Sequence, residues 1–304
     1  MHNLSDNTLI LGASGFIGSN LGPAFKDCLK PSRAQVDLTD YDEVVYYFNE
    51  HRPKKIVNMA AFVAGFLYNK DHNLVQLRKN SLIALNVASA IQELKLDCYY
   101  LYISSACVYG KNTNNETNIF DRDPNVNNYG YGWSKRLGHV CLESLKLDNK
   151  SNVKSCCLVP TNMFGPHDEF SPKMSHVIPN LIRQMVSGAN EITVLGNPHN
   201  ERDFMYSEDL CNVISSCLSK KITGTFNVFT GSTISISELV HKLVRATNYE
   251  GDICMNLERK DKADIRFLEN DQLKNALDID QSFFTNFDEA LNKTVSWYKQ
   301  TLND

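Results

Sequence analysis

Thr8-Leu9-Ile10-Leu11 is an apolar run that ends in Gly12-Ala13-Ser14-Gly15-Phe16-Ile17-Gly18. No other stretch constrains the fold as strongly. An apolar run of strand length, closed by glycines at every third position and followed by a helical pattern over Ser19–Phe25, reads as a buried strand turning into a helix. Glycines let the backbone turn tightly and approach a pyrophosphate, which rests where free N–H groups point out of a helix N-terminus. The pattern then repeats. Strands are expected at Lys55–Ala61, Asp97–Ser104 and Val153–Leu158, alternating with helices over Tyr41–Asn49, over Leu74–Glu93 with a break at Asn80, and over about Gly130–Leu147. That alternation argues for an α/β fold, a Rossmann doubly wound parallel sheet.

The second strand is expected to end in Leu29-Lys30-Pro31-Ser32-Arg33. A carboxylate at that point would hydrogen-bond the ribose hydroxyls of NAD and repel a 2′-phosphate. Ser32 and Arg33 stand there instead, which favours NADP, although an arginine here is also an ordinary surface charge. Asp37 lies about 20 residues past the glycines, the usual distance of the ribose acid. It follows the basic segment, in Val36-Asp37-Leu38-Thr39-Asp40, and is assigned to the adenine edge.

Downstream, Ser104-Ser105-Ala106-Cys107 sits at the C-terminal end of a predicted strand, where ligands of open parallel sheets bind. Tyr131-Gly132-Trp133-Ser134-Lys135 follows on a predicted helix. A Tyr and a Lys four apart share one helix face. The ammonium is expected to pull the tyrosine pKa from about 10 towards neutrality, so that the phenol can trade a proton with an alcohol or ketone oxygen. Alone, the spacing also arises on solvated helix faces. Tyr129 is a poorer candidate, because its i+4 partner is Trp133.

Composition excludes some classes. With 42% hydrophobic and 22% charged residues, the chain has the balance of a soluble globular protein. A net charge of −4 argues against a broad nucleic-acid surface. The apolar run Ile56–Tyr68 is too short to span a bilayer, and Met1–Asn7 lacks a secretory pattern. Nine cysteines without CxxC pairs suggest free thiols in a reducing cytoplasm. His72 and His167 lack partners at metal spacing and are expected to pack; no metal is expected.

Gly12-x-x-Gly15-x-x-Gly18, the serine-rich strand end and Tyr131-x-x-x-Lys135 together resemble the extended short-chain dehydrogenase/reductase superfamily, the NAD-dependent epimerase/dehydratases. Pro160-Thr161-Asn162-Met163-Phe164-Gly165-Pro166-His167-Asp168 and Ser175-His176-Val177-Ile178-Pro179, with Cys107 behind Ser105, narrow this. They resemble the GDP-L-fucose synthase family, the 3,5-epimerase/4-reductases of GDP-4-keto-6-deoxymannose. The similarity runs from about Leu9 to Trp297.

The resemblance implies an NADPH-binding domain over residues 1–159, with 200–224 returning to it. A smaller, discontinuous nucleotide-sugar-binding lobe would comprise 160–199 and 225–304. It implies cofactor contacts at Gly12, Ser14, Gly15, Phe16, Ile17, Gly18, Ser32, Arg33, Asp37 and Leu38. Further cofactor contacts fall at Ala60, Ala61, Tyr131, Lys135, Pro160, Asn162, Met163 and His176. Substrate contacts would come from Ser105, Cys107, Asn162, His176, Val177 and Arg202, the last on the diphosphate through its planar fork. An ion pair with Glu201 or Asp203 is the plainer role for Arg202. Ser105, Tyr131 and Lys135 would serve the reduction, and Cys107 and His176 would serve epimerisation at C3 and C5. A homodimer through a four-helix bundle is also implied.

Two departures bear on the sugar. The family's Gly-Gly is Ala64-Gly65 here, and its Asp-Gly is Asp261-Lys262. A C4 reductase acting on a GDP-4-keto heptose or 6-deoxyheptose after a separate epimerase therefore stays open. A non-catalytic NADPH-binding sensor is the alternative from another class, though it would have no need of Ser105, Tyr131 and Lys135 together.

Overall fold

A computed structural model describes residues 4, 7–63, 65, 68, 71–110, 114–148, 152–256, 265–266 and 268–303. Strand β1 (Thr8–Leu11) leads into α1 (Phe16–Ser19), and α2 (Tyr41–His51) precedes β2 (Lys55–Asn58). Then come α3 (Asn73–Glu93), β3 (Tyr99–Ile103), α4 (Tyr129–Leu147) and β4 (Lys154–Pro160). The chain continues through β5 (Asn162–Phe164), α5 (Val177–Val186), β6 (Glu191–Leu195), β7 (Glu201–Arg202) and β8 (Phe204–Tyr206). Helix α6 (Ser207–Lys220) leads to β9 (Gly224–Val228), β10 (Ile234–Ser235) and α7 (Ile236–Thr247). The last elements are β11 (Asp252–Asn256), β12 (Ile265–Arg266), α8 (Asp271–Leu277) and α9 (Phe287–Thr301).

β1, β2, β3, β4 and β9 form one sheet in that order, every neighbour parallel. Successive residues of a strand point to opposite faces, and both faces are apolar here. Tyr100 and Tyr102 of β3 pack with Val44, Phe48, Val87, Ile91 and Leu142 from α2, α3 and α4. Tyr99, Leu101 and Ile103 pack on the other face with Leu210, Val213 and Ile214 of α6 and Leu273 of α8. Helices on both faces of a parallel sheet make the doubly wound α/β fold that the alternating pattern predicts. A third core, around Phe164, Ile182, Leu239, Leu243 and Leu291, joins α5, α7 and α9.

Three local expectations are corrected. The helix expected over Ser19–Phe25 is the short α1, followed by a 3₁₀ turn over Pro23–Phe25. The Asn20 side chain bonds the Phe16 carbonyl, and Gly22-Pro23 cannot continue the ladder because proline has no N–H. The expected second strand is reduced to one bridge, in which Leu29 exchanges backbone hydrogen bonds with Thr8 and Ile10 outside β1. Pro31 stops the pairing two residues later. Nor is α3 broken at Asn80, whose buried side chain grips both backbone groups of Phe62 and the Gln76 carbonyl.

The chain leaves β1 towards Leu29 on one side and returns on the other as β2. This reversal is a switch point, and a crevice opens there beyond the strands' C-terminal ends.

Candidate active site

The glycine turn is built by close approach. Gly12 has φ +84°, and a Cβ on it would lie 2.7 Å from the Ala60 nitrogen. A Cβ on Gly18 would lie 2.4 Å from Ala13. The Gly15 amide bonds the Gly12 carbonyl at 3.1 Å, while Ser14 and Gly15 stay exposed. Backbone rather than side chains therefore faces outward from β1, a cradle that suits a pyrophosphate. On the next loop, Arg33 is exposed and paired with Asp37 at 2.9 Å, and Ser32 bonds Gln35. Hydrogen bonds from Thr39, then from Arg33, hold the Asp37 carboxyl down at about 2. The Leu38 carbonyl accepts from Asn86 on α3.

A cleft of about 290 Å³ lies beyond the strand ends. Phe16, Ile17 and Ala61 line one side, and Pro160, Asn162 and Met163 another. Ser105 and Cys107 enter from the end of β3, and Tyr131 and Lys135 from α4. His176 and Val177 come from the start of α5. The C-terminal end of β3, helix α4 and the segment after β5 thus meet in one pocket.

The electrostatics differ from the expected acidic tyrosine. Burial raises the Tyr131 pKa above 10, a Cys107 thiolate would raise it further, and a hydrogen bond with Ser105 acts the other way. Lys135 is itself buried and its pKa falls to about 8. Its ammonium donates to the Ile103 carbonyl at 2.8 Å and lies 5.7 Å from the Tyr131 ring centre. The pair shares a helix face, but the charge is spent on the strand end and burial prevails. Tyr131 therefore stays a protonated phenol at neutral pH. Burial also lowers the His176 imidazole from 6.5, keeping it neutral.

Residues 8–228 match the model of the NAD dependent epimerase/dehydratase family. The chain belongs to that family. It is 27% identical over 315 residues to a probable GDP-L-fucose synthase of Drosophila melanogaster, covering 95% of this chain and 96% of the relative. Its fold is similar to a GDP-6-OMe-4-keto-L-xylo-heptose reductase from C. jejuni, with a TM-score of 0.85, 19% identity and 99% of each chain covered. It is also similar to a GDP-L-fucose synthetase from Naegleria fowleri bound to NADP, with a TM-score of 0.84 and 20% identity over 98% of this chain and 96% of the other.

Of the expected catalytic and substrate residues of this epimerase/dehydratase, Arg202 lies outside the cleft lining, and so do the expected cofactor residues Gly12, Ser14, Gly15, Gly18, Ser32, Arg33, Asp37, Leu38 and Ala60. Arg202 sits on β7 between β10 and β12 and donates to the Glu201 carbonyl at 2.6 Å. His72 stacks on Tyr68 and His167 packs against Trp297. Ala64, Asp261 and Lys262 lie outside the described residues. Gly65 packs so tightly that a Cβ would lie 2.3 Å from the Ser175 carbonyl oxygen, one residue before His176.

Other cleft residues escape the sequence reading. Gln76 and Asn128 line it without any local motif. Ser104 Oγ lies 2.8 Å from His139 Nε2, one turn beyond Lys135, so two side chains of α4 grip consecutive residues at the end of β3. The i+4 step from Lys135 to His139 was the available signal.

Proposed function

We propose that this protein is an NADPH-dependent reductase of a GDP-linked 4-keto-6-deoxy sugar that also epimerises C3 and C5, as GDP-L-fucose synthases do. The observation that carries this reading is the convergence of Ser105, Tyr131 and Lys135 with Cys107 and His176 on one cleft beside the glycine turn. The full-length similarity to a probable GDP-L-fucose synthase supports the nucleotide-sugar class. The cradle at Gly12 and Gly18 suits the cofactor pyrophosphate, with Arg33 reaching for the 2′-phosphate. Bound NADPH supplies the hydride that reduces the C4 ketone.

Tyr131 gives its phenolic proton to O4, a role for which a raised pKa is suited because the phenol is protonated beforehand. Ser105 hydrogen-bonds the same oxygen, and Lys135 offsets the phenolate left behind. The C4 ketone acidifies the protons at C3 and C5, since the resulting enolate is carried by O4. Neutral His176 accepts a proton from one face and the Cys107 thiol returns one from the other. Arg202 would serve the diphosphate only if it turns from the Glu201 carbonyl. The remaining assignments, residues 160–199 and 225–304 as the sugar lobe, a homodimer and a cytoplasmic setting, accompany this reading. The third core and the free state of all nine thiols support the lobe and the setting.

A second reading, a C4 reductase acting on a GDP-4-keto heptose or 6-deoxyheptose after a separate epimerase, is favoured by the altered sequence Ala64-Gly65, of which Gly65 packs against Ser175. Incubation with GDP-4-keto-6-deoxymannose and NADPH, with stereochemical identification of the product, separates the readings. GDP-L-fucose supports the first. A product inverted at neither C3 nor C5 supports the second, and no oxidation of NADPH across a panel of 4-keto nucleotide sugars rejects both.

A further inference from the structure

Arg136, the residue after Lys135, is the largest fully buried side chain among the described residues, at 1% exposure. It does not line the cleft. Its Nε donates to the Val108 carbonyl at 2.9 Å, and one terminal nitrogen donates to the Arg122 carbonyl. The guanidinium lies 4.8 Å from the centre of the Trp133 ring and 5.5 Å from that of Phe120. A buried cation is costly unless its donors are satisfied, and an apolar side chain would fill such a core position without that cost. The fork does what an apolar residue could not: one rigid group holds two carbonyls from separate segments.

The segment it holds is the one that carries Cys107. Ala106–Val108 is a single 3₁₀ turn. At its start the Ser105 hydroxyl accepts from the Cys107 amide at 3.2 Å, and at its end Arg136 takes the Val108 carbonyl. The turn is thus tied at both ends, on one side by a residue lining the cleft and on the other by a buried cation. Gly132 presses on the same turn, since a Cβ there would lie 2.5 Å from the Cys107 carbonyl oxygen. We infer that Arg136 is a positioning residue: by capping Val108 and holding Arg122, it fixes the Cys107 thiol where the cleft requires it. The inference rests on the proposed function only for the task given to Cys107.

Thiol alkylation tests it without substrate. Cys107 is partly exposed and Cys254 exposed, while the other seven cysteines are buried. Iodoacetamide labelling of the full chain, read by peptide mass spectrometry, therefore reports Cys107 with Cys254 as the internal reference. Arg136→Met should speed alkylation of Cys107 by about tenfold while Cys254 keeps its rate. Arg136→Lys, which keeps the charge but loses the fork, should fall between it and wild type. If Arg136→Met unfolds, exposing the buried thiols as well, Arg136→Lys alone decides. Wild-type Cys107 rates in the folded variants would overturn the inference. Exchange at C3 and C5 separates the two failures. Faster alkylation with no exchange in wild type refutes the epimerase, and unchanged alkylation with intact exchange refutes the positioning.

Discussion

The Lys135 ammonium lies 5.7 Å from the centre of the Tyr131 ring, and its hydrogen bond goes to the end of β3. The two residues are neighbours on one helix face without the lysine setting the phenol. Burial brings Lys135 from 10.5 to about 8. Between those values the unfolded chain binds more protons than the folded one, so this group's contribution to stability rises with pH. Lys135→Met should therefore gain on wild type at pH 7, and the gap should narrow by roughly 2–3 kcal/mol towards pH 10 in urea unfolding. A gap independent of pH rejects the shift. Tyr131→Phe should retain the fold and lose about 10²–10⁴-fold in ketone reduction.

His176 is lowered from 6.5 by burial and acts as a base when neutral. Deuterium incorporation at C3 and C5, measured in deuterated water with the oxidised cofactor, should therefore fall on acidification with a midpoint below that of a free imidazole. His176→Asn and Cys107→Ser should each slow it by about 10²-fold or more. A wild-type protein that reduces the ketone yet incorporates no deuterium is a C4 reductase only.

Arg33 is paired with Asp37 at 2.9 Å, so the cation that would meet a 2′-phosphate already has a partner. Arg33→Ala should weaken NADPH far more than NADH, and Asp37→Asn should strengthen NADPH relative to NADH. Equal changes for both cofactors, measured by fluorescence titration, remove Arg33 from the phosphate.

Much of this site is legible in the sequence because it depends on local geometry. The glycine turn, the Tyr131–Lys135 face and the serine-rich strand end each need only a few consecutive residues. What escapes depends on tertiary placement. Arg136 and His139 read as ordinary helical polar residues until the sheet packs against α4. The acidity expected of Tyr131 fails for the same reason, since spacing reports proximity and not burial. The second strand fails because its partner residues stop at Pro31.

Asp203 is 1% exposed and ties the cleft residue Asn162 to Thr230, just beyond β9. Its carboxylate accepts from the Thr230 amide at 3.1 Å, and its carbonyl accepts from the Asn162 side chain at 2.8 Å. Burial raises its pKa from 3.8 to about 7, against hydrogen bonds from Thr230 and Thr161. A raised acid stabilises below its unfolded pKa, and that contribution is lost as pH rises through the folded value. Wild type should lose roughly 3 kcal/mol through this group between pH 4 and pH 7, a loss absent in Asp203→Asn. Parallel pH–stability curves for the two proteins refute this.

Helices α3 and α4 pack together and present Leu85 and Val140 at 41% and 47% exposure. An apolar face of this kind suits a two-fold helix bundle. Val140→Arg should convert a dimer into a monomer in sedimentation at unchanged fold. A wild-type protein that is monomeric and fully active refutes the assembly.

The single bridge at Leu29 affects more than the nucleotide loop. Unpaired margins of parallel sheets are templates on which a stray strand of another chain can zip, and a long flat margin invites fibrous association. Here the margin beside β1 is filled by one short bridge and closed by Pro31, whose ring offers no donor. The truncation that leaves Ser32 and Arg33 on a bare loop thus also blunts the sheet against templated growth.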